Sequence, residues 1–256
     1  MNTALSVIMV VKNEEKRIRR CLESVRWADE IVVVDQSSDD ATVNICREYT
    51  DKVFSVPPKN FCEPDRQTAV SKVKNDWILY VDADEVVSPE LKSEIISFLA
   101  TGPVYGCCYI PRKNIFLGKW IMGSGWYPGY VLRLFRKGFV KFSNDIHADT
   151  SPLKESGYLK NHIIHYTCDD LGEYVAKSDR YISILAGQSY DKGDRISVKN
   201  FVWGLFILPA VYFLHRLILK AGLRDGWRGF LIALLTSRTI FMKNIRLWAV
   251  QKKCGR

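Results

Sequence analysis

The 256-residue sequence has no C-x-x-C pair among its seven cysteines, no repeat with a period of 20–50 residues and no low-complexity tract. A zinc site and a disulfide framework are therefore not expected, a reducing compartment is the natural setting, and solenoid, collagen-like and mucin-like architectures are excluded. No G-x-G-x-x-G follows the first strand pattern and no G-x-x-x-x-G-K-[ST] occurs anywhere, so two common nucleotide cradles lack their marks. The N-terminal MNTALSVIMVVKNEE has neither a basic segment ahead of its apolar stretch nor a small-residue cleavage site, so no secretory leader is expected. Acidic residues are scarce at the other end. Residues 199–256 hold eleven Lys and Arg against one Asp, a net of +10 that leaves −1 for the rest of a chain whose total is +9. The basicity belongs to a tail, and a nucleic-acid partner is not expected. What is present, 47% hydrophobic and 25% charged residues, is enough to build a core and excludes disorder.

The first hundred residues alternate strand and helix patterns, which predicts βαβ units and a mostly parallel sheet. Leu5 to Val11 is an uncharged, β-branched run suited to a central strand buried on both faces. Asn13 reads as the N-cap of a helix whose apolar face is Ile18, Cys21, Leu22 and Val25. Further strands are expected from Ile31 to Val34, Lys52 to Val56 and Trp77 to Val81. Helices are expected through Thr42 and Tyr49, near Pro64 to Lys74, and from the Ser88-Pro89 start to Leu99. Between Tyr105 and Tyr166 the pattern is irregular, with strand candidates at Gly106–Pro111 and Tyr130–Arg136, and a helix follows from about Asp170 to Gln188.

Asn13, Asp35 and the Asp82-Ala83-Asp84 triplet each follow a predicted strand directly, and functional loops in such sheets lie beyond the carboxyl ends of the strands. Two carboxylates one residue apart on a turn can offer oxygen ligands to a hard divalent cation that also holds a diphosphate. An isolated D-x-D is more often an acidic turn capping a helix, but here Arg66 and Lys72 lie on the helix feeding that strand, where phosphate charge would sit. Trp120, Trp126 and Tyr127 fall among glycines and suit either stacking on a sugar or packing beneath a loop. Arg133 and Arg136 are read as the charged side of a strand whose other side carries Leu132 and Phe135, open to phosphate.

The segments SVIMVVKNEE, IVVVDQSSDDAT and DRQTAVSKVKNDWILYVDADE resemble the family 2 glycosyltransferases. The continuation GWYPGYVLRLFR, the His147 segment, His165-Tyr166 and the tail around Asp225-Gly226 are similar to the lipopolysaccharide-core β-glucosyltransferases of the WaaE type. The resemblance implies an α/β protein of GT-A fold, Rossmann-like with a mostly parallel sheet, that inverts a sugar taken from a UDP-sugar. It implies that Asn13, Glu14 and Asp35 bind the uridine and that Arg66 flanks the donor. Asp82 and Asp84 would serve the ribose and a Mg²⁺ or Mn²⁺ ion, with Asp84 ranked first as ligand. His147 would stand near the diphosphate, and Trp126 and Arg133 on the acceptor or phosphate side. An inverting transfer also needs a base for the acceptor hydroxyl. The position where many relatives carry a glutamate is Ala148, which accepts no proton, so the catalytic candidates are its neighbours Asp149 and, second, Asp145.

Phe201 to Leu214 is fourteen residues without charge, shorter than the roughly 20 a spanning helix needs. With interfacial tryptophans and unopposed cations it predicts helices lying on an anionic membrane surface. The expected organisation is a catalytic domain over 1–170 and a helical, basic, membrane-docking region over 171–256. The protein would be cytoplasmic, peripheral on the inner face of the cytoplasmic membrane, and would glycosylate a lipid-linked or lipopolysaccharide-core acceptor. A polyprenyl-phosphate transferase and a non-catalytic nucleotide-sugar-binding relative are the alternatives.

Overall fold

An uncharged β-branched run needs cover on both faces, and β1 (Leu5–Val11) has it along its whole length. The computed structural model describes residues 4–59, 65–142 and 150–254. They form two units, Met1–Lys113 with Gly129–Tyr166, and Asn114–Pro128 with Thr167–Arg256.

In the first unit β1 is followed by α1 (Ile18–Val25), β2 (Glu30–Asp35), α2 (Thr42–Arg47), β3 (Val53–Ser55), α3 (Arg66–Lys72), β4 (Trp77–Tyr80), β5 (Glu85–Val87) and α4 (Pro89–Ala100). Next come β6 (Cys107–Phe116), β7 (Lys119–Trp120), β8 (Gly129–Arg136), β9 (Val140–Lys141), β10 (Ser151–Pro152), β11 (Gly157–Tyr158) and β12 (Ile163–Cys168), of which β7 and the ends of β6 and β12 belong to the second unit. The strand order is β3-β2-β1-β4-β8-β6-β12-β5. β1 to β4 run parallel, β8 is antiparallel to β4, and β6 is antiparallel to β8. Alternate residues of β1 feed two cores. Val7, Met9 and Val11 pack with Ile18, Cys21, Leu22 and Val25 of α1 and with Leu91, Ile95 and Leu99 of α4. Ile8 and Val10 pack with Ala69 of α3 and with Tyr80, Leu132 and Phe135. Each fully buried Leu or Ile contributes about 1.5–3 kcal/mol, so the sheet is fixed by its own side-chain period. The Ser88-Pro89 start is as the sequence predicts, with the Ser88 hydroxyl accepting from the Leu91 N–H at 3.1 Å.

Asn13 corrects the helix reading. It is no N-cap, because α1 begins at Ile18 and carries no side-chain cap. Instead the Arg17 and Ile18 N–H groups both donate to the Glu14 carbonyl at 2.9 Å, and Asn13 sits left-handed at φ 54°. The shared charged face read for β8 is also corrected. Arg133 is the extra residue of a bulge, since Tyr109 pairs with Leu132 and Cys108 with Leu134, and it is buried while Arg136 is exposed.

The second unit is mostly helical: α5 (Leu171–Asp191), α6 (Val198–Val202), α7 (Leu208–Leu214) and α8 (Trp227–Cys254). A π-helical turn at Trp203–Ile207 joins α6 to α7, and a second at His215–Leu219 continues the run past α7. The first, directly ahead of Pro209, accommodates its missing N–H without ending the helix. The apolar helix therefore continues past Leu214. Asn200–Leu219 is 20 residues with mean hydropathy 1.8, long and apolar enough to cross a membrane by length and composition, which corrects the estimate of fourteen. It runs antiparallel to α8: Phe201 meets Trp248, Asn244 donates to the Gly204 carbonyl, Ser237 donates to the Pro209 carbonyl, and Phe213 meets Phe230.

Candidate active site

Parallel β1, β2 and β4 end at one edge, so their following loops converge. The first two loops are stitched together. The Asn13 N–H donates to the Ser38 hydroxyl at 2.9 Å, the Glu14 N–H to the Thr42 hydroxyl at 2.8 Å, and the Asp39 N–H to the Asn13 side-chain oxygen at 3.1 Å. Left-handed Asn13 and Ser37, each two residues past its strand, turn both loops sharply. Asp35 is 1% exposed and its two oxygens accept from the Ser38 N–H at 3.3 and 3.1 Å. The Glu14 carboxylate lies 3.5 Å from Arg17. Gln36, which follows Asp35, is buried and donates to Asp65 at 2.7 Å.

The end of β4 is organised by charge. Asp82 accepts from the Tyr80 hydroxyl and from Arg133, and its own N–H donates to Glu85 at 3.0 Å. Glu85, fully buried at the first position of β5, accepts from Arg112 at 2.6 Å and from Arg133 at 2.8 Å. Arg112 also stands 3.8 Å from Asp82. Arg133 and Arg66 lie over the Tyr80 ring at 4.4 and 4.9 Å. Burial pushes the Asp82 carboxyl up, but Arg133, Arg112 and Arg66, with the Tyr80 hydroxyl bond, outweigh it and hold it well below the usual carboxylate range. Burial likewise opposes charge on Arg133, and Asp82 and Glu85 restore it.

Three guanidiniums, of Arg133, Arg112 and Arg66, thus gather around the Asp82 carboxylate, and two of them also bond Glu85. Buried Nε atoms of both Arg133 and Arg112 have no hydrogen-bond partner among the described residues, a cost of about 1–3 kcal/mol each. Asp84, two residues on, points its carboxylate to within 3.5 Å of His165 Nε2 on β12, and its carbonyl accepts from the Tyr166 N–H at 2.9 Å.

The described residues hold no preformed group of three or more His, Cys, Asp or Glu. A Mg²⁺-type ion that keeps its waters and shares substrate phosphates needs only one or two carboxylates. Asp84 and Asp82 are the two carboxylates of this turn that could serve in that way, the second of them bonded here to Tyr80 and Arg133.

The structure gathers Asn13, Glu14, Asp35, Arg66, Asp82, Asp84 and Arg133 in one unit, all but the last on elements that lead to the carboxyl edge of β1, β2 and β4. Sequence reasoning missed Glu85 and Arg112. The one available signal was a third acid directly after Asp82-Ala83-Asp84, which a strand start would bury. Trp126 belongs to the second unit, where its ring meets Phe116 edge-on at 5.8 Å and its carbonyl accepts from Asn114 at 3.1 Å. Asp145, His147 and Asp149 lie outside the described residues.

A model of the family described as glycosyl transferase family 2 matches residues 6–151. Lipopolysaccharide core biosynthesis glycosyltransferase LpsC of Rhizobium meliloti is 26% identical over 95% of this chain and 92% of its own. An uncharacterized glycosyltransferase of Rickettsia typhi is 27% identical over 95% and 86%. Among solved structures, S. aureus TarS 1–349 in complex with UDP-GlcNAc superposes with a TM-score of 0.50 at 15% identity, covering 99% of this chain and 92% of that one. Mannosyltransferase PcManGT from Pyrobaculum calidifontis, in complex with GDP-Man and Mn²⁺, gives 0.53 at 14% identity over 95% and 86%. At such identities the likeness shows the fold.

Proposed function

The chain belongs to glycosyl transferase family 2, and from that premise we propose that it moves a hexose from a UDP-sugar, with inversion, to a lipid-linked or lipopolysaccharide-core acceptor at the inner face of the cytoplasmic membrane. The observation that carries the donor half is the Asp82 and Asp84 turn set against Arg133, Arg112 and Arg66. The UDP-GlcNAc bound by TarS and the core-biosynthesis name of LpsC support the choice of donor and acceptor class.

In this reading Asn13, Glu14 and Asp35 hold the uridine, and Arg66 and Arg133 take phosphate charge. A Mg²⁺ or Mn²⁺ ion held by Asp84 and Asp82 would neutralise the diphosphate. The acceptor oxygen bonds to the anomeric carbon as the bond to the diphosphate breaks, and its proton passes to Asp149, ranked above Asp145. His147 serves the diphosphate side.

The tail is read as lying in the headgroup region. Although the run Asn200–Leu219 is long enough to span, its middle at Pro209 is bonded to Ser237, next to Arg238, whose guanidinium pairs with both oxygens of Asp179 at 2.9 Å. A spanning pose would carry that charged pair to mid-bilayer, at a cost of several kcal/mol. An in-plane pose leaves it at the interface and presents Trp203, Phe206, Val211 and Leu214, all exposed, to lipid. A second reading, transfer to a polyprenyl phosphate, is favoured by that helix length and by Ala148, since an anionic acceptor needs no strong base. Competition between a polyprenyl phosphate and a core oligosaccharide lipid separates the two.

The central test is a UDP-sugar panel with Mn²⁺, followed by titration of UDP binding and by transfer. Asp84→Ala is expected to lower transfer about a hundredfold or more and to weaken the metal dependence of UDP binding. A protein that binds no UDP-sugar, or an Asp84→Ala variant with unchanged transfer, overturns the reading.

A further inference from the structure

Beyond the donor site, the same sheet face carries an exposed group of tyrosines. Tyr109 on β6 stacks on Tyr158 of β11 with ring centres 5.2 Å apart and planes 19° from parallel. Tyr130, at the start of β8, meets Tyr158 edge-on at 5.1 Å. The group is not core: Tyr130 and Tyr158 are 46% and 63% exposed. Its face is settled by packing. Tyr109 packs against the core cluster that contains Leu132 and Tyr80, and Leu132 is two residues from Tyr130 on the same strand. The tyrosines therefore lie on the face from which Tyr80 meets Arg133, Arg66 and Asp82.

Continuity with the donor site is close. Arg112, 3.8 Å from Asp82, is paired in register with Gly129, the residue before Tyr130. With strands spaced about 4.8 Å, β6 lies about 10 Å from β4 and β11 about one strand further. That is the reach of an oligosaccharide, not of a single sugar. Three tyrosines, without an exposed leucine or phenylalanine among them, offer flat apolar faces edged by hydroxyls. This is the surface that matches the mixed apolar and hydroxyl faces of pyranose rings, and rigid tyrosines supply it at low entropic cost.

We propose that Tyr109, Tyr130 and Tyr158 form a carbohydrate subsite that holds the glycan portion of the acceptor while its terminal hydroxyl faces the donor sugar. The proposal rests on the glycosyltransferase reading and names the part of the acceptor that the protein grips.

The test titrates the full chain, by calorimetry, with deacylated lipopolysaccharide-core oligosaccharide and, separately, with UDP and Mn²⁺. Tyr158→Ala and Tyr130→Ala are each expected to weaken oligosaccharide binding about fivefold to tenfold, Tyr158→Phe by twofold or less, with UDP affinity within twofold of the parent. Both side chains are largely exposed, so the variants retain the fold, and thermal melting checks this. Unchanged oligosaccharide affinity in the Tyr130→Ala/Tyr158→Ala double variant overturns the subsite, as does a parent that binds UDP but no oligosaccharide. Loss of UDP binding in the parent would overturn the donor reading instead.

Discussion

Glu85→Gln separates the scaffold of the donor site from its chemistry. The Glu85 side chain is 0% exposed, and one of its oxygens accepts from Arg112 at 2.6 Å and Arg133 at 2.8 Å, while the other accepts from the Asp82 N–H at 3.0 Å. Glutamine keeps the shape and one acceptor oxygen but removes the charge. Arg133, with 6% of its side chain exposed, would then share a single carboxylate, that of Asp82, with Arg112. Removing one partner from a buried charge network costs about 3–5 kcal/mol. Arg112 is 22% exposed and can recover some hydration, so the lower end, about 3 kcal/mol, is expected. For a chain of this length that corresponds to a melting temperature lower by roughly 6–12 °C, read by calorimetry or circular dichroism. Asp82→Asn removes a carboxylate that is 30% exposed, so its stability loss should be smaller while its effect on UDP binding is larger. The double variant Glu85→Leu/Arg133→Leu should recover much of the stability, since apolar replacement of a buried pair is often neutral, and should bind UDP poorly. A Glu85→Gln protein melting within about 1 °C of the parent would refute the reasoning, because such a small shift means the network carries less than 1 kcal/mol.

Asp82 is held below its unfolded pKa of about 3.9, so its contribution to stability is present in full above that value and is lost as pH falls through the folded value. The acid branch of the stability–pH curve should therefore be shallower in Asp82→Asn, and identical slopes below pH 4 would contradict the assignment. A Cβ at Gly229 would stand 1.8 Å from the Gly222 carbonyl oxygen. Gly229→Ala should thus cost about 1–3 kcal/mol through backbone displacement, read as a lower melting temperature, and an unshifted melt would mean that the turn ahead of α8 yields freely. Binding of the full chain to vesicles containing phosphatidylglycerol should weaken between 0.1 and 1 M salt, as the screening length falls from about 10 to 3 Å. Salt-independent binding would point to spanning insertion rather than surface docking.

Local period carried much of the fold. The two-residue alternation of β1, the i, i+3, i+4, i+7 face of α1 and the Ser88-Pro89 start are all properties of neighbours in the chain, and each is met in the structure. Acids directly after strands mark a loop edge for the same reason, which is why Asp35, Asp82 and Asp84 were legible. Asn13 was misread because an asparagine before acids suits both an N-cap and a left-handed turn. The choice was made by Ser38 and Asp39 on another loop, 25 and 26 residues away.

What the sequence by itself determined is therefore the alternating α/β core, the carboxylates at its strand ends and the basic, apolar tail, because these depend on spacing within one element. Tertiary structure alone decided which charges meet. Arg133 reaches Glu85 across 48 residues and Arg112 across 27, a consequence of β8 inserting between β4 and β6. It alone brought Tyr109, Tyr130 and Tyr158 onto one face, and it alone bonded the middle of the apolar helix to the residue beside the Arg238–Asp179 pair. Strand order and helix pairing set these encounters, and no local period reports them.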